Sequence, residues 1–266
     1  MPNTATRSNH REQEILKELR LAGGSCRVGY LAERLGVSDE TVRRNIKALQ
    51  EKSQVRKVHG GVLLAEDLTL TEQPFQARMD ENAEAKRQIA GKLAQIIEDG
   101  DSLFLDIGST SAYAARALNN HRNLYVVTNS LTVASTLAAR NGNRVFFAGG
   151  ELRGHDGGAF GQDAIGFIRR FNVQYAVFSA GAINCEVGVM LHDINEADLL
   201  AEALPRAQTR ILLADSSKFG VRAPIAINDA ASIDILITET APPDAVIDML
   251  GENETSLVIA GHEKEH

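Results

Sequence analysis

Two sets of residues in this chain have the types and spacing to do chemistry. The first is cationic. Arg43, Arg44 and Lys47 share a short segment with Thr41, and in the same segment Val42, Ile46 and Leu49 recur at i, i+4 and i+7. An apolar stripe of that spacing buries one helix face, so the cations project elsewhere, where they can bond guanine edges or neutralise phosphates. Arg43 and Arg44 stand about 100° apart around such a helix, which suits one to a base and the other to a phosphate. The second set is small and hydroxylic: Gly108-Ser109-Thr110-Ser111, Thr128-Asn129-Ser130, Gly149-Gly150, Ser179-Ala180-Gly181 and Asp215-Ser216-Ser217-Lys218. Glycine admits an oxyanion to backbone N–H groups, hydroxyls donate, and a following helix offers its positive end, which together make a phosphate cradle. Gly108–Ser111 is the first choice for that cradle, with Lys218 as counter-charge. One such loop alone is also an ordinary strand-to-helix turn capped by Ser or Thr; five in succession point to a phosphorylated small ligand.

The cations require a helix-turn-helix to present them. Leu31, Ala32 and Leu35 give an inward face to a preceding helix, Gly36 suits the left-handed turn, Ser38 caps the next helix, and Asp39 and Glu40 complement its dipole. Ile15, Leu16 and Leu19 supply a third helix over about Arg11 to Leu21, ended by Gly23-Gly24. After the recognition helix, VRKVHGGVLL alternates cationic and apolar residues around Gly60-Gly61, as a hairpin wing does. Its Arg56, Lys57 and His59 are placed to touch phosphates or the minor groove.

The hydroxylic loops require a sheet. Apolar runs recur as LFLDIG, LYVVTNS, RVFFAGG, YAVFSAG, ILLADSS and IDILITE, with TSAYAARALNN and LTVASTLAARN reading as helices between them. Strand, loop and helix in repetition imply a mostly parallel sheet, whose polar loops gather at the carboxyl ends of the strands, where ligands bind. AEAKRQIAGKLAQII, with Ile89, Leu93 and Ile96-Ile97 at helical spacing, opens this second unit. The stretch before it lacks periodicity and contains Pro74. The organisation expected is therefore a winged helix-turn-helix at 1–61, a connector at 62–82, and an α/β ligand-binding domain at 83–266.

The net charge of −7 disguises an asymmetry: residues 1–61 carry 12 Lys+Arg against 7 Asp+Glu, and residues 62–266 carry 16 against 28. A basic head on an acidic body fits a DNA-binding module fused to a larger domain, since affinity for DNA follows local cation density. No run reaches the roughly 18 apolar residues of a membrane span, and MPNTATRSNH lacks the apolar core of a signal peptide, so a cytoplasmic protein is expected. Cys26 and Cys185 are far apart in sequence, with no CxxC and no clustered histidine, so they read as reduced thiols; no metal site or cofactor is expected.

SDETVRRNIKAL followed by HGG resembles the winged helix-turn-helix of the DeoR family of bacterial repressors, except that Asn45 stands where the family usually has Asp. LDIGST, VVTNS, AGGEL and DSSKFG resemble the family's effector domain, so the resemblance spans nearly the whole chain. It implies a fold similar to sugar-phosphate isomerases and a phosphorylated sugar or polyol effector held by Asp106, Gly108–Ser111, Asn129, Gly149-Gly150 and Lys218. AGGELRGHDGG and the acid-free SAGAIN are similar to the glycerol-3-phosphate regulon repressors within the family. Leu200 replaces a lysine that relatives carry four residues after the acid matching Glu196; Arg153 and His155 are candidate substitutes for that charge. Isomerases of this fold carry acids in the loop matching Ser179–Asn184. Here there is none, which favours binding over turnover, with Glu196 and Asp106 as the remaining candidate bases. The expected protein is a repressor of a carbohydrate or polyol operon, a homodimer or homotetramer on operator DNA with no membrane partner. The alternative is an isomerase-like enzyme with an accessory DNA-binding domain.

Overall fold

The computed structural model describes residues 4–22, 25–52, 54–58, 61–64, 72–227 and 233–261. Gly23-Gly24, His59 and the last five residues of the chain lie outside them, and of Arg56 only the backbone is described.

The amino-terminal unit packs helices α1 (Thr4–Leu21), α2 (Val28–Leu35) and α3 (Asp39–Glu51) around Ile15, Leu19, Leu31, Val42, Ile46 and Leu49, all buried. Gly36 takes the left-handed conformation the turn needs, at φ 61°. Ser38 caps α3 by accepting from the Thr41 amide at 3.3 Å. Asn45, turned inward, is 6% exposed and its Nδ2 donates to Thr41 O at 2.7 Å, so the amide serves the helix interior. The wing is a three-stranded antiparallel sheet in the order β1-β3-β2, from β1 (Ser25–Arg27), β2 (Val55–Val58) and β3 (Gly61–Leu64). β2 and β3 are the hairpin expected in VRKVHGGVLL, with β3 running past residue 61 into the stretch assigned to the connector; β1, only three residues long, was not expected. Val62 and Leu64 alternate inward onto the helical core, which is the period-two signal of the wing's second strand. The connector also holds helix α4 (Phe75–Asp80), which follows Pro74 and buries Met79.

In the second unit seven strands form one sheet in the order β13-β12-β10-β7-β4-β5-β6, every neighbouring pair parallel. They are β4 (Ser102–Leu105), β5 (Tyr125–Thr128), β6 (Arg144–Phe147), β7 (Val173–Ser179), β10 (Ala207–Leu213), β12 (Ile235–Thr238) and β13 (Ser256–Ile259). Six are the apolar runs seen in the sequence; β13, at the edge, was not anticipated. Both faces are covered, which is why the strands are apolar almost throughout. Leu103, Leu105, Val126, Val177 and Ile211 pack on α5 (Ala83–Ile96), α6 (Ser109–Ala117) and α7 (Leu131–Leu137) through Ile89, Leu93, Ala115 and Leu137. Phe104, Val127, Phe178 and Leu212 pack on α8 (Gly161–Ile168), α9 (Ile194–Ala203) and α10 (Asp244–Glu252) through Ile168, Leu200 and Val246.

A small antiparallel sheet, β11-β9-β8, sits beyond this one, from β8 (Ala182–Asn184), β9 (Gly188–Leu191) and β11 (Ile225–Ala226). These strands are too short to carry a readable period. The chain runs outward from β4 through β5 to β6, then returns to the other side of β4 with β7. This reversal makes a crevice between the carboxyl ends of β4 and β7, where sheets of this kind take their ligands.

Candidate effector site and DNA-binding face

The loops flanking that crevice are joined by one carboxylate. Asp106, directly after β4, is 5% exposed. One oxygen accepts from the Ser111 hydroxyl, and the other accepts from the Ser179 amide at 2.9 Å and the Ser179 hydroxyl at 3.4 Å. Gly108 lies so close to β7 that a Cβ there would collide with Ser179 Oγ. Ser109, Thr110 and Ser111 form the buried first turn of α6, whose leading amides lack intrahelical partners by construction. This is the geometry of an anion cradle at a helix N-terminus.

A small cavity beside it is lined by Asp106, Ile107, Asn129, Phe160, Glu196, Leu199 and Leu200. Asn129 is fully buried. Its Nδ2 donates to Ala159 O at 3.3 Å, while its Oδ1 has no hydrogen-bond partner among the described residues. Thr128 and Ser130 have local duties: Thr128 Oγ1 accepts from the Ser130 amide at 3.0 Å, and Ser130 Oγ caps α7 by accepting from the Val133 amide at 3.3 Å.

The structure places Arg153 differently from a solvent-facing cation. Its guanidinium is bonded to Asp156 at 2.5 Å, Asp193 at 3.1 Å and Glu196, and lies 4.3 Å from the Phe160 ring centroid. Three carboxylates around one cation make it a hub that ties the loop after β6 to the start of α9. Asp193 also caps α9, accepting from the Asn195 and Glu196 amides. His155 is exposed and lies 3.5 Å from Asp156. Gly149 and Gly150 are exposed at the end of β6, an edge strand two removed from β4. Lys218 is half-buried in the turn after β10, beside the buried Asp215. At Gly181 a Cβ would stand 2.7 Å from His192 Nδ1, so that glycine admits an imidazole. The sequence reading missed Asp156, Asp193 and His192. Asp156 and His192 sit within HDGG and HDIN, and only the folded chain shows what they face.

Burial raises the Asp106 carboxyl to about 8, against the pull of its bonds to Ser111 and Ser179. Burial likewise raises Glu196 to about 7, against Arg153. For Asp156 burial also acts upward, but Arg153 and the Gly158 amide outweigh it and hold the carboxyl below its ordinary value. Asp106 and Glu196 thus titrate higher folded than unfolded, so the folded chain binds the extra protons. Their contribution to stability is present below the ordinary carboxylate range and is lost as pH rises through about 7 and about 8. Thermal unfolding followed between about pH 5 and pH 8.5 is expected to show this decline, and Asp106→Asn to flatten it. An identical slope in the variant would remove Asp106 as its source.

On the amino-terminal unit, Arg43, Lys47 and Gln50 of α3 line a groove with Val28, Ile46, Gly61 and Lys57 of the wing. Arg44 is exposed on the adjoining face. The Ser38 and Thr41 hydroxyls are 3.0 Å apart at the helix cap. Cys26 and Cys185 are not joined in a disulfide, and burial, then Glu18, pushes the Cys26 thiol up to about 12. Among the described residues no group of side chains is placed to hold a metal, and no helix is long and apolar enough to cross a membrane.

Residues 11–67 match the DeoR-like helix-turn-helix domain and residues 81–240 the DeoR C terminal sensor domain. The HTH-type transcriptional repressor CsqR of Escherichia coli (strain K12) is 34% identical over 97% of this chain and 98% of its own length. The glycerol-3-phosphate regulon repressor of the same organism is 34% identical over 85% of this chain and 89% of its own. Among solved structures, ribose 5-phosphate isomerase A from Methanocaldococcus jannaschii aligns with 52% of this chain and 55% of its own, at 15% identity and a TM-score of 0.38. With a helix-turn-helix presenting cations, a sensor domain behind it, and relatives matched almost end to end, the chain belongs to the DeoR family and is a DNA-binding regulator rather than an enzyme.

Proposed function

We propose that this regulator represses a carbohydrate or polyol catabolic operon and leaves its operator when a phosphorylated sugar or polyol, such as glycerol-3-phosphate, binds the sensor domain. The observation that carries the reading is the cradle at the β4–β7 crevice: Gly108 pressed against Ser179, a buried hydroxyl turn at the head of α6, and Asp106 bracing both loops. The α6 amides and hydroxyls suit the phosphoryl group. Asp106 and the Asn129 Oδ1 are acceptors and suit the hydroxyls of a sugar or polyol. Glu196, bonded to Arg153, serves the hub rather than proton abstraction. Relatives named as a glycerol-3-phosphate regulon repressor and a putative aga operon transcriptional repressor support the ligand class.

Arg43, Lys47 and Lys57, with Arg44, Arg56 and His59, contact operator DNA, Ser38 and Thr41 lying at the end of the helix nearest it. The DNA-reading unit occupies 1–61 with β3 extending it, the connector continues to residue 82, and the sensor follows from residue 83. The protein acts in the cytoplasm as a homodimer or homotetramer, since modules of this kind read paired half-sites.

The test is operator binding measured with a panel of phosphorylated sugars and polyols and their parent alcohols. One phosphorylated compound is expected to release the DNA. At a hundredfold excess over its Kd it should add about 2.7 kcal/mol to the stability of the protein. Release by a parent alcohol and by no phosphorylated compound would refute the cradle.

A further inference from the structure

A second group of charges is carried by the connector. Glu72 and Arg78 form an ion pair at 2.6 Å, with side chains 24% and 11% exposed. Arg78 is fixed further: its Nε donates to Gln73 O at 3.0 Å, and its guanidinium lies 5.7 Å from the Phe75 ring centroid. Three tethers seat this segment on the sensor domain. Tyr113 Oη donates to Met79 O at 3.0 Å. Asn82 Nδ2 donates to Asp215 Oδ1 at 3.1 Å and Ser217 Oγ at 3.2 Å. The buried Lys86 ammonium donates to Arg78 O at 2.5 Å and Glu81 O at 2.7 Å.

Tyr113 belongs to the helix that begins with the cradle, and Asp215 and Ser217 belong to the loop that carries Lys218. The connector therefore crosses the carboxyl end of the sheet beside the cradle. Its charges reach the groups there. His192 is held below its usual value first by burial, with Glu72 opposing and Lys218 and Arg78 adding to the depression. Glu196 is lifted by burial and then, against Arg153, by Glu72. Arg78, Lys218 and the His192 imidazole thus share one neighbourhood with Glu72, and only residues 65–71 separate Glu72 from β3 of the DNA-reading unit.

We propose that Arg78 belongs to the effector site and that Glu72 competes with the effector for it: an anionic group on the ligand replaces the Glu72 carboxylate on Arg78 and frees the start of the connector. The inference rests on the reading of the sensor as a phosphate-binding domain and adds the route by which binding reaches the DNA-reading unit. A phosphoryl group offers a guanidinium the same forked pair of oxygens as a carboxylate, with greater charge, so the exchange keeps the bonds and gains attraction. The ligand then meets Arg78 differently in the two arrangements of the connector, which is what coupling between two sites demands.

The test uses the full chain, with glycerol-3-phosphate, the other phosphorylated sugars and polyols of the panel and inorganic phosphate as probes, titrated by calorimetry and by operator release. Removing the competitor, in Glu72→Gln, is expected to tighten binding about fivefold and to lower the concentration that releases the operator. Arg78→Gln is expected to weaken binding about tenfold or more. The sign is decisive, because a carboxylate with a merely structural role would weaken binding when removed. Unchanged or weaker binding in Glu72→Gln overturns the proposal while leaving the phosphate reading in place. A wild-type protein that answers to no phosphorylated compound removes both.

Discussion

Replacing Arg43 and Lys47 together by alanine is expected to weaken specific operator binding roughly a hundredfold and leave the fold unchanged. Both side chains are exposed on α3 and contribute nothing to its buried face of Val42, Ile46 and Leu49. They are one helical turn apart and, with Lys57 of the wing, line one groove. A bidentate guanidinium–guanine contact discriminates by about 1 to 3 kcal/mol, and each lost phosphate contact lowers the salt dependence of binding by close to one in slope. Loss of both groups should weaken binding by about 3 kcal/mol, roughly a hundredfold. Arg44→Ala should cost less, since Arg44 lies off that groove. Fluorescence anisotropy at several salt concentrations, with a melting curve for each variant, separates the roles. A double variant that binds its operator as tightly as the wild type would show that α3 is not the recognition helix.

Arg153→Ala is expected to be the most destabilising single change in the sensor domain, at about 3 kcal/mol at neutral pH. It leaves Asp156, Asp193 and Glu196 facing one another without their cation, and two of these are largely out of water, at 1% and 15% side-chain exposure. Removing one partner of a buried ion pair costs more than the pair contributes, because the remaining charge keeps its desolvation penalty. In the variant the Asp156 carboxyl loses the partner that held it low. It then titrates higher than in the wild type, so the deficit should grow as pH rises and shrink toward about pH 4, where the carboxyls bind protons. Chemical denaturation across pH measures both effects. Arg153→Lys, which keeps the charge but loses the fork, should fall between the two. Equal stability of wild type and Arg153→Ala at about pH 7.5 would dismiss the hub.

Much of the molecule was legible because its signals are local. The Gly36 turn, the Ser38 cap, the spacing of Val42, Ile46 and Leu49, and the six apolar strand runs depend on neighbours a few residues away. The short elements were not legible: β8, β9 and β11 are four residues or fewer, and what sets their pairing is register against distant partners. Cap and cradle use the same residue types: Ser130 caps α7, and Thr128 Oγ1 accepts from the Ser130 amide, which sequence alone does not show.

Two devices are written in the chain itself: a capped, cation-bearing helix near the amino terminus, and a succession of glycine and hydroxyl loops after apolar strands. Both follow from short-range sterics and periodicity, which a linear reading contains. Which residues act together is set by the fold. Asp106 meets Ser179, Arg153 meets Glu196, and Asn82 meets Asp215 across 73, 43 and 133 residues of chain, because strand order and the return past β4 bring them there. Local propensity says nothing about strand order, so Arg153, which reads in sequence as a substitute for a missing charge, became a hub. Likewise the connector that reads as a spacer crosses the end of the sheet, where its charges join those of the site.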